Sequence, residues 1–65
     1  ECAIFMYQTG NMEYKVSMRS NGLVNVSEIA SFFGGGGHVR AAGCTMKGTV
    51  HDVINNLSTR IALQI

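Results

Sequence analysis

The chain has no proline, no tryptophan and only two cysteines, and its charges are few: five Lys or Arg against four Asp or Glu in 65 residues. Each scarcity excludes something. Cys2 and Cys44 are too few for a disulfide framework and too far apart in sequence for a zinc-ligand pair. A net charge of +1 is well short of the basic excess of a domain that holds nucleic acid by charge alone, so phosphate recognition here has to be local. No apolar run approaches the roughly 18 residues of a membrane span, and no basic-then-apolar signal opens the chain, so the cytoplasm is the expected compartment. In that setting Asn25-Val26-Ser27 and Asn56-Leu57-Ser58 read as chance matches to a glycosylation sequon.

The sequence is instead rich in glycine, with eight residues, four of them consecutive from Gly34 to Gly37 and followed by His38. Each ordered glycine costs about 0.5–1 kcal/mol relative to alanine, a liability for a domain that buries only about 60% of its unfolded surface. The 46% hydrophobic content still argues for a packed object. With its small size and a first residue, Glu1, that is not an initiator methionine, the chain reads as a single domain, residues 1–65, of a larger protein.

Cys2 to Tyr7 is an unbroken apolar run, which predicts a strand buried on both faces. The next run alternates, with Tyr14, Val16 and Met18 on one side and Lys15, Ser17 and Arg19 on the other. That is a half-buried strand with Arg19 facing away from the core, joined to the first by a turn at Gly10-Asn11. Past Ser20-Asn21-Gly22, Asn25 stands three residues before Glu28, and Val24 and Ile29 are spaced to clasp a helix start. A helix over 26–33 follows, its stripe made of Val26, Ile29, Ala30 and Phe33, with Gly34 as its left-handed stop.

Gly43 to Lys47 is a third strand, and Thr49 with Asp52 forms the acidic variant of a capping box. The last helix presents Val50, Val53, Ile54, Leu57 and Ile61 on one face. The expected fold is α+β: a small mixed or antiparallel sheet of about three strands with two helices.

One glycine suffices to stop a helix, which leaves Gly35, Gly36 and Gly37 without a structural reason. Close backbone approach to a ligand supplies one: successive N–H groups converging on an anion, with His38 and Arg40 beside them as side-chain donors. The tract lacks the Lys-Ser/Thr of a nucleotide-triphosphate loop and follows a helix rather than a strand, so neither that motif nor a dinucleotide fingerprint applies. Arg19 reads equally as an ordinary solvated charge. His51, Lys15 and Lys47 read as solvated side chains, Cys44 as a small buried hydrophobe, and Phe32-Phe33 as core packing rather than a stacking platform for a base.

Gly-Gly-Gly-Gly-His-x-x-Ala-Ala-Gly, preceded by a short helix and by Ser17-Met18-Arg19-Ser20, resembles the DHH-associated domain at the C-terminus of the DHH phosphoesterases. That group includes RecJ-type exonucleases, oligoribonucleases that also act on adenosine bisphosphate (pAp), and cyclic dinucleotide phosphodiesterases. The resemblance covers residues 14–63. It implies a separate N-terminal DHH domain that carries manganese and the hydrolytic chemistry, with no catalytic residue, metal site or cofactor in the present chain. It further implies that Gly35, Gly36, Gly37 and His38 line the cleft between the two domains and grip short RNA, DNA or a nucleotide. Arg19 matches the arginine of the strand motif, and Arg40 is a weaker candidate in the same role. Two other classes stay open: a non-catalytic RNA-binding domain, as at the C-terminus of alanyl-tRNA synthetases, and a packing or dimerisation module.

Overall fold

The computed structural model describes residues 2–65, so Glu1 lies outside the described residues. The chain runs β1 (Cys2–Gly10), β2 (Glu13–Ser20), α1 (Val26–Phe32), β3 (Gly36–His38), β4 (Ala41–Lys47) and α2 (Val50–Ala62). The four strands form one antiparallel sheet in the order β1-β2-β4-β3. This is α+β with two helices as expected, but with a fourth strand where the sequence predicts a loop. Glycines are poor strand formers, so propensity gives no hint of β3, which exists because its backbone pairs with β4.

The helices cover one face of the sheet. Val16 and Met18 of β2 and Cys44 and Met46 of β4 are buried there with Val26, Ile29 and Ala30 of α1 and Val53 and Leu57 of α2. The β2 alternation thus reads as predicted. Asn25 caps α1 through Glu28 N–H donating to its Oδ1 at 3.1 Å, and Val24 and Ile29 are both buried. Phe33 is the C-cap rather than the last helical residue, and Gly34 follows with φ +87°.

The Thr49–Asp52 capping box forms in both directions, each bond 3.1 Å long. At the far end of α2, the Gln64 side chain clasps the backbone of Asn25, accepting from its N–H at 2.6 Å and donating to its carbonyl at 3.0 Å. The end of one helix is thereby fastened to the start of the other.

Three expectations are corrected. β1 is not buried on both faces: it is an edge strand of nine residues, with Cys2 and Met6 half-buried and Ile4, Phe5 and Tyr7 exposed. A continuous apolar run looks the same whether a strand is central or at an edge, and here no element packs beyond β2 to cover it. The hairpin turn falls at Asn11-Met12, with Met12 at φ +57° and its carbonyl held by Gly48 N–H at 2.7 Å. In α2, Val53 and Leu57 reach the core and Ile61 packs at its margin, but Val50 and Ile54 are exposed, outside the stripe that the core covers.

Candidate functional site: the open face of the sheet

Residues directly opposite one another on paired strands share a face. The pairing therefore gives the open face row by row. Arg19 of β2 lies opposite Ala41 of β4, which lies opposite His38 of β3, while Ala3 of β1 lies beside Arg19. The next row is Phe5, Ser17, Gly43 and Gly36, and the one after it Tyr7, Lys15 and Thr45. Neighbouring strands are about 4.8 Å apart, so the Arg19 and His38 backbones stand roughly 10 Å apart with only the Ala41 methyl between them. Both side chains are exposed.

The two-residue turn Val39-Arg40 between β3 and β4 is fixed by its carbonyls. Arg40 C=O accepts from Ser20 N–H at 2.9 Å, and Val39 C=O accepts from Val26 N–H at 2.9 Å. The first bond sets Arg40 against the end of β2, next to Arg19. Both arginines line a cleft of about 490 Å³ together with Cys2, Ala3, Ser20, Asn21 and Ala41, a lining that among the described residues has two guanidinium groups and no carboxylate. Arg40, the weaker candidate in the sequence, thus shares a cavity with Arg19, while His38 lies across Ala41 and lines neither this cleft nor the next.

The glycine tract is only partly what the sequence implied. Gly34 N–H and Gly35 N–H donate to Ser31 and Ala30 carbonyls at 3.0 and 2.7 Å, so the first two N–H groups are consumed by the end of α1 and form no anion nest. Gly35 sits so close to β4 that a Cβ there would lie 2.1 Å from the Gly43 carbonyl oxygen and 2.8 Å from Cys44 Cα. Gly37, at φ +146°, would place one 2.6 Å from both the Ala41 carbonyl oxygen and Ala42 Cα. These two glycines have a structural reason after all: they let the tract lie against β4. Gly36, like the helix stop Gly34, faces open space, with no atom within 4 Å of where its Cβ would be. Its bare backbone borders a second cleft, of about 360 Å³, that Lys15 and Thr45 also line.

Ala41 was missed by sequence reasoning, and Lys15 was weighed there for steering an anionic substrate but set aside as a solvated charge. Ala41 offers only its smallness, and the signal for Lys15 was its place two residues from Ser17 and four from Arg19 on the same strand face. Phe32 is exposed, but Arg60 lies over its ring at 3.8 Å and Phe33 meets its edge at 5.0 Å, so one ring face is already taken. His51 is exposed, as read. Cys44 is buried and Cys2 half-buried, both as free thiols, and burial pushes the Cys44 thiol above its ordinary pKa. Among the described residues no three His, Cys, Asp or Glu side chains come together as a metal-binding set, and no helix is long and apolar enough to cross a membrane.

The chain is similar to three proteins named bifunctional oligoribonuclease and PAP phosphatase NrnA. It is 46% identical to the one from Mycoplasma pneumoniae over 44 residues, covering 68% of this chain and 13% of that protein. To that from Mycoplasma genitalium it is 38% identical over 60 residues, 89% of this chain and 19% of that protein. To that from Thermus thermophilus it is 62% identical over 34 residues, 52% of this chain and 10% of that protein. The chain thus spans at most about a fifth of the length of these relatives. The DHHA1 domain family matches residues 1–64, nearly the whole chain, and to that family the chain belongs.

Proposed function

We propose that this chain is the substrate-holding domain of a cytoplasmic DHH phosphoesterase that hydrolyses short oligoribonucleotides, pAp or a related nucleotide. The observation that carries this reading is the row Arg19–Ala41–His38, with Arg40 fastened beside Arg19 in one cleft. Two guanidinium groups and an imidazole around a small floor suit a phosphate, because charge-assisted and bidentate contacts from arginine match its oxygens. In this reading manganese, and the activation of water that it supplies, belong to an N-terminal DHH domain across the cleft; among the described residues of this chain no metal-binding set comes together.

In this division of labour the chain fixes substrate and leaves the chemistry to its partner domain. Arg19 and Arg40 hold a phosphate of the substrate, His38 contacts it from the other side of Ala41, and Gly36 admits it close to the backbone. Gly35 and Gly37 serve the site by shaping the tract. Holding the scissile bond in register with a reacting centre is a large share of catalysis in its own right.

The test is activity of the full-length protein on pAp, dinucleotides and cyclic dinucleotides, with Arg19→Ala and His38→Ala beside the unaltered protein. Both variants are expected to lose at least tenfold in kcat/KM on the preferred substrate while keeping the melting temperature. Unchanged turnover and KM in both would overturn the proposal. So would manganese-dependent hydrolysis by the 65-residue chain alone.

A further inference from the structure

The open face carries an aromatic column that the phosphate grip does not use, beside the β2 column that supplies Arg19. Along β1, Phe5 and Tyr7 project from it with 64% and 61% of their surface exposed, a large apolar area for an edge strand to leave in water. Alongside, β2 presents Lys15 and Arg19, Lys15 directly opposite Tyr7 and Arg19 one row beyond Phe5. Toward β4 and β3 the middle row is Ser17, Gly43 and Gly36, so nothing bulky stands between the aromatic column and the glycine tract.

We infer that Phe5 and Tyr7 form a nucleobase-stacking subsite for a single-stranded oligonucleotide whose phosphates run along β2, over Lys15 and Arg19. The inference rests on the proposed function and narrows its substrate class. Flat aromatic faces bind bases of any sequence, and an exposed sheet with aromatics beside cations is a recurrent platform for single strands. The charge complements this occupant: both β2 cations are exposed, and the only acid on this face of β2, Glu13, lies at the opposite end of the strand from Arg19.

Spacing fixes the rest. Residues two apart on a strand are roughly 6.7 Å apart, about twice the 3.4 Å step of a stacked nucleic-acid strand, so consecutive bases separate and each takes one ring. From the Arg19 row to the Tyr7 row is about 13 Å of strand, which a mononucleotide does not span. The favoured ligand is therefore a short single strand with its terminal phosphate at Arg19 and two further bases on Phe5 and Tyr7.

The experiment measures Kd in the full-length protein, in chelator so that hydrolysis does not proceed, for a five-nucleotide RNA, for the same RNA with two abasic positions, and for pAp. Phe5→Ala and Tyr7→Ala are each expected to weaken the intact RNA roughly tenfold and to leave pAp within about twofold. Phe5→Trp and Tyr7→Phe retain affinity. The abasic RNA binds the unaltered protein as weakly as intact RNA binds the double alanine variant, and the double variant does not discriminate between the two RNAs.

Unchanged RNA affinity in both alanine variants overturns the inference. An equal loss for intact and abasic RNA with a lowered melting temperature also overturns it, because the rings would then pack against another part of the polypeptide. Arg19→Ala in the same assay separates the two levels. If it weakens both RNA and pAp while the aromatic variants are silent, the phosphate grip stands and the stacking subsite falls; if it leaves both ligands untouched, the grip itself falls.

Discussion

Arg19 and His38 come from strands that do not touch, yet they flank a single residue, Ala41, on one row of the sheet's open face. The relationship depends on β4 lying between β2 and β3, and on β3 being a strand at all. A larger side chain at position 41 would fill the floor between the two donors without disturbing the core. Ala41→Val is expected to keep the melting temperature within a few degrees and to reduce substrate affinity at least fivefold, read by titration and thermal denaturation of the same preparation.

The three central glycines should separate by mechanism. Gly35→Ala and Gly37→Ala drive a methyl into β4 backbone and are expected to destabilise the fold by about 2–3 kcal/mol or more. Gly36→Ala meets open space, so its stability should stay within about 1 kcal/mol of the unaltered chain and lean toward stabilisation, because alanine restricts the unfolded state. Its effect belongs on ligand affinity. Urea denaturation of the three variants checks the order, and equal losses in all three would refute it.

Arg40 is held by its backbone, and among the described residues its guanidinium has no hydrogen-bond partner, so Arg40→Ala removes a charge without removing the turn. Affinity for a short single strand falls with salt, and each lost phosphate contact lowers the slope of log affinity against log salt by about 0.7. Arg40→Ala is expected to show that reduction in a binding titration between low and high salt. Arg19→Lys keeps the charge but not the planar fork, and should lose affinity with the slope little changed.

Gln64 clasps the α1 cap from the other end of the chain. Gln64→Ala removes two hydrogen bonds and is expected to cost about 1–2 kcal/mol, with Thr49→Ala costing about 1 kcal/mol through the lost cap. The sites are independent, so the double variant should be additive in denaturant melts.

The Cys44 thiol is buried and its pKa raised, so it stays neutral at neutral pH and reacts slowly. A thiol reagent at pH 8 should label Cys2 first and Cys44 only on opening of the fold. A raised folded pKa stabilises the native state below the unfolded thiol's ordinary value, near 9.0, and that contribution is lost as pH climbs through the folded value. Stability should therefore decline above about pH 9, and less steeply in Cys44→Ala.

Much of this was legible in the sequence because its signals are local. Asn25 with Glu28, Thr49 with Asp52, and the alternation from Tyr14 to Arg19 each state their structure within a few residues. What escaped depends on which backbone lies alongside, near or far in the chain. Whether Cys2–Tyr7 is central or at an edge is settled by what lies beyond it, and Gly36–His38 becomes a strand only against Ala41–Gly43. The site divided along the same line. Arg19 and His38 are visible as motif residues, whereas the separation of Gly36 from Gly35 and Gly37 requires knowing which backbone atoms approach them.

The pair of backbone bonds that pin the Val39-Arg40 turn, one to a strand and one to a helix, has a thermodynamic meaning beyond placement. A turn anchored on both sides has little conformational freedom to surrender when a ligand arrives. Its ordering cost is met once, when the chain folds, so the binding proposed for this face would draw on preorganisation as well as on contacts. Loosening either bond should therefore weaken binding through entropy, with the residues that touch the ligand unaltered.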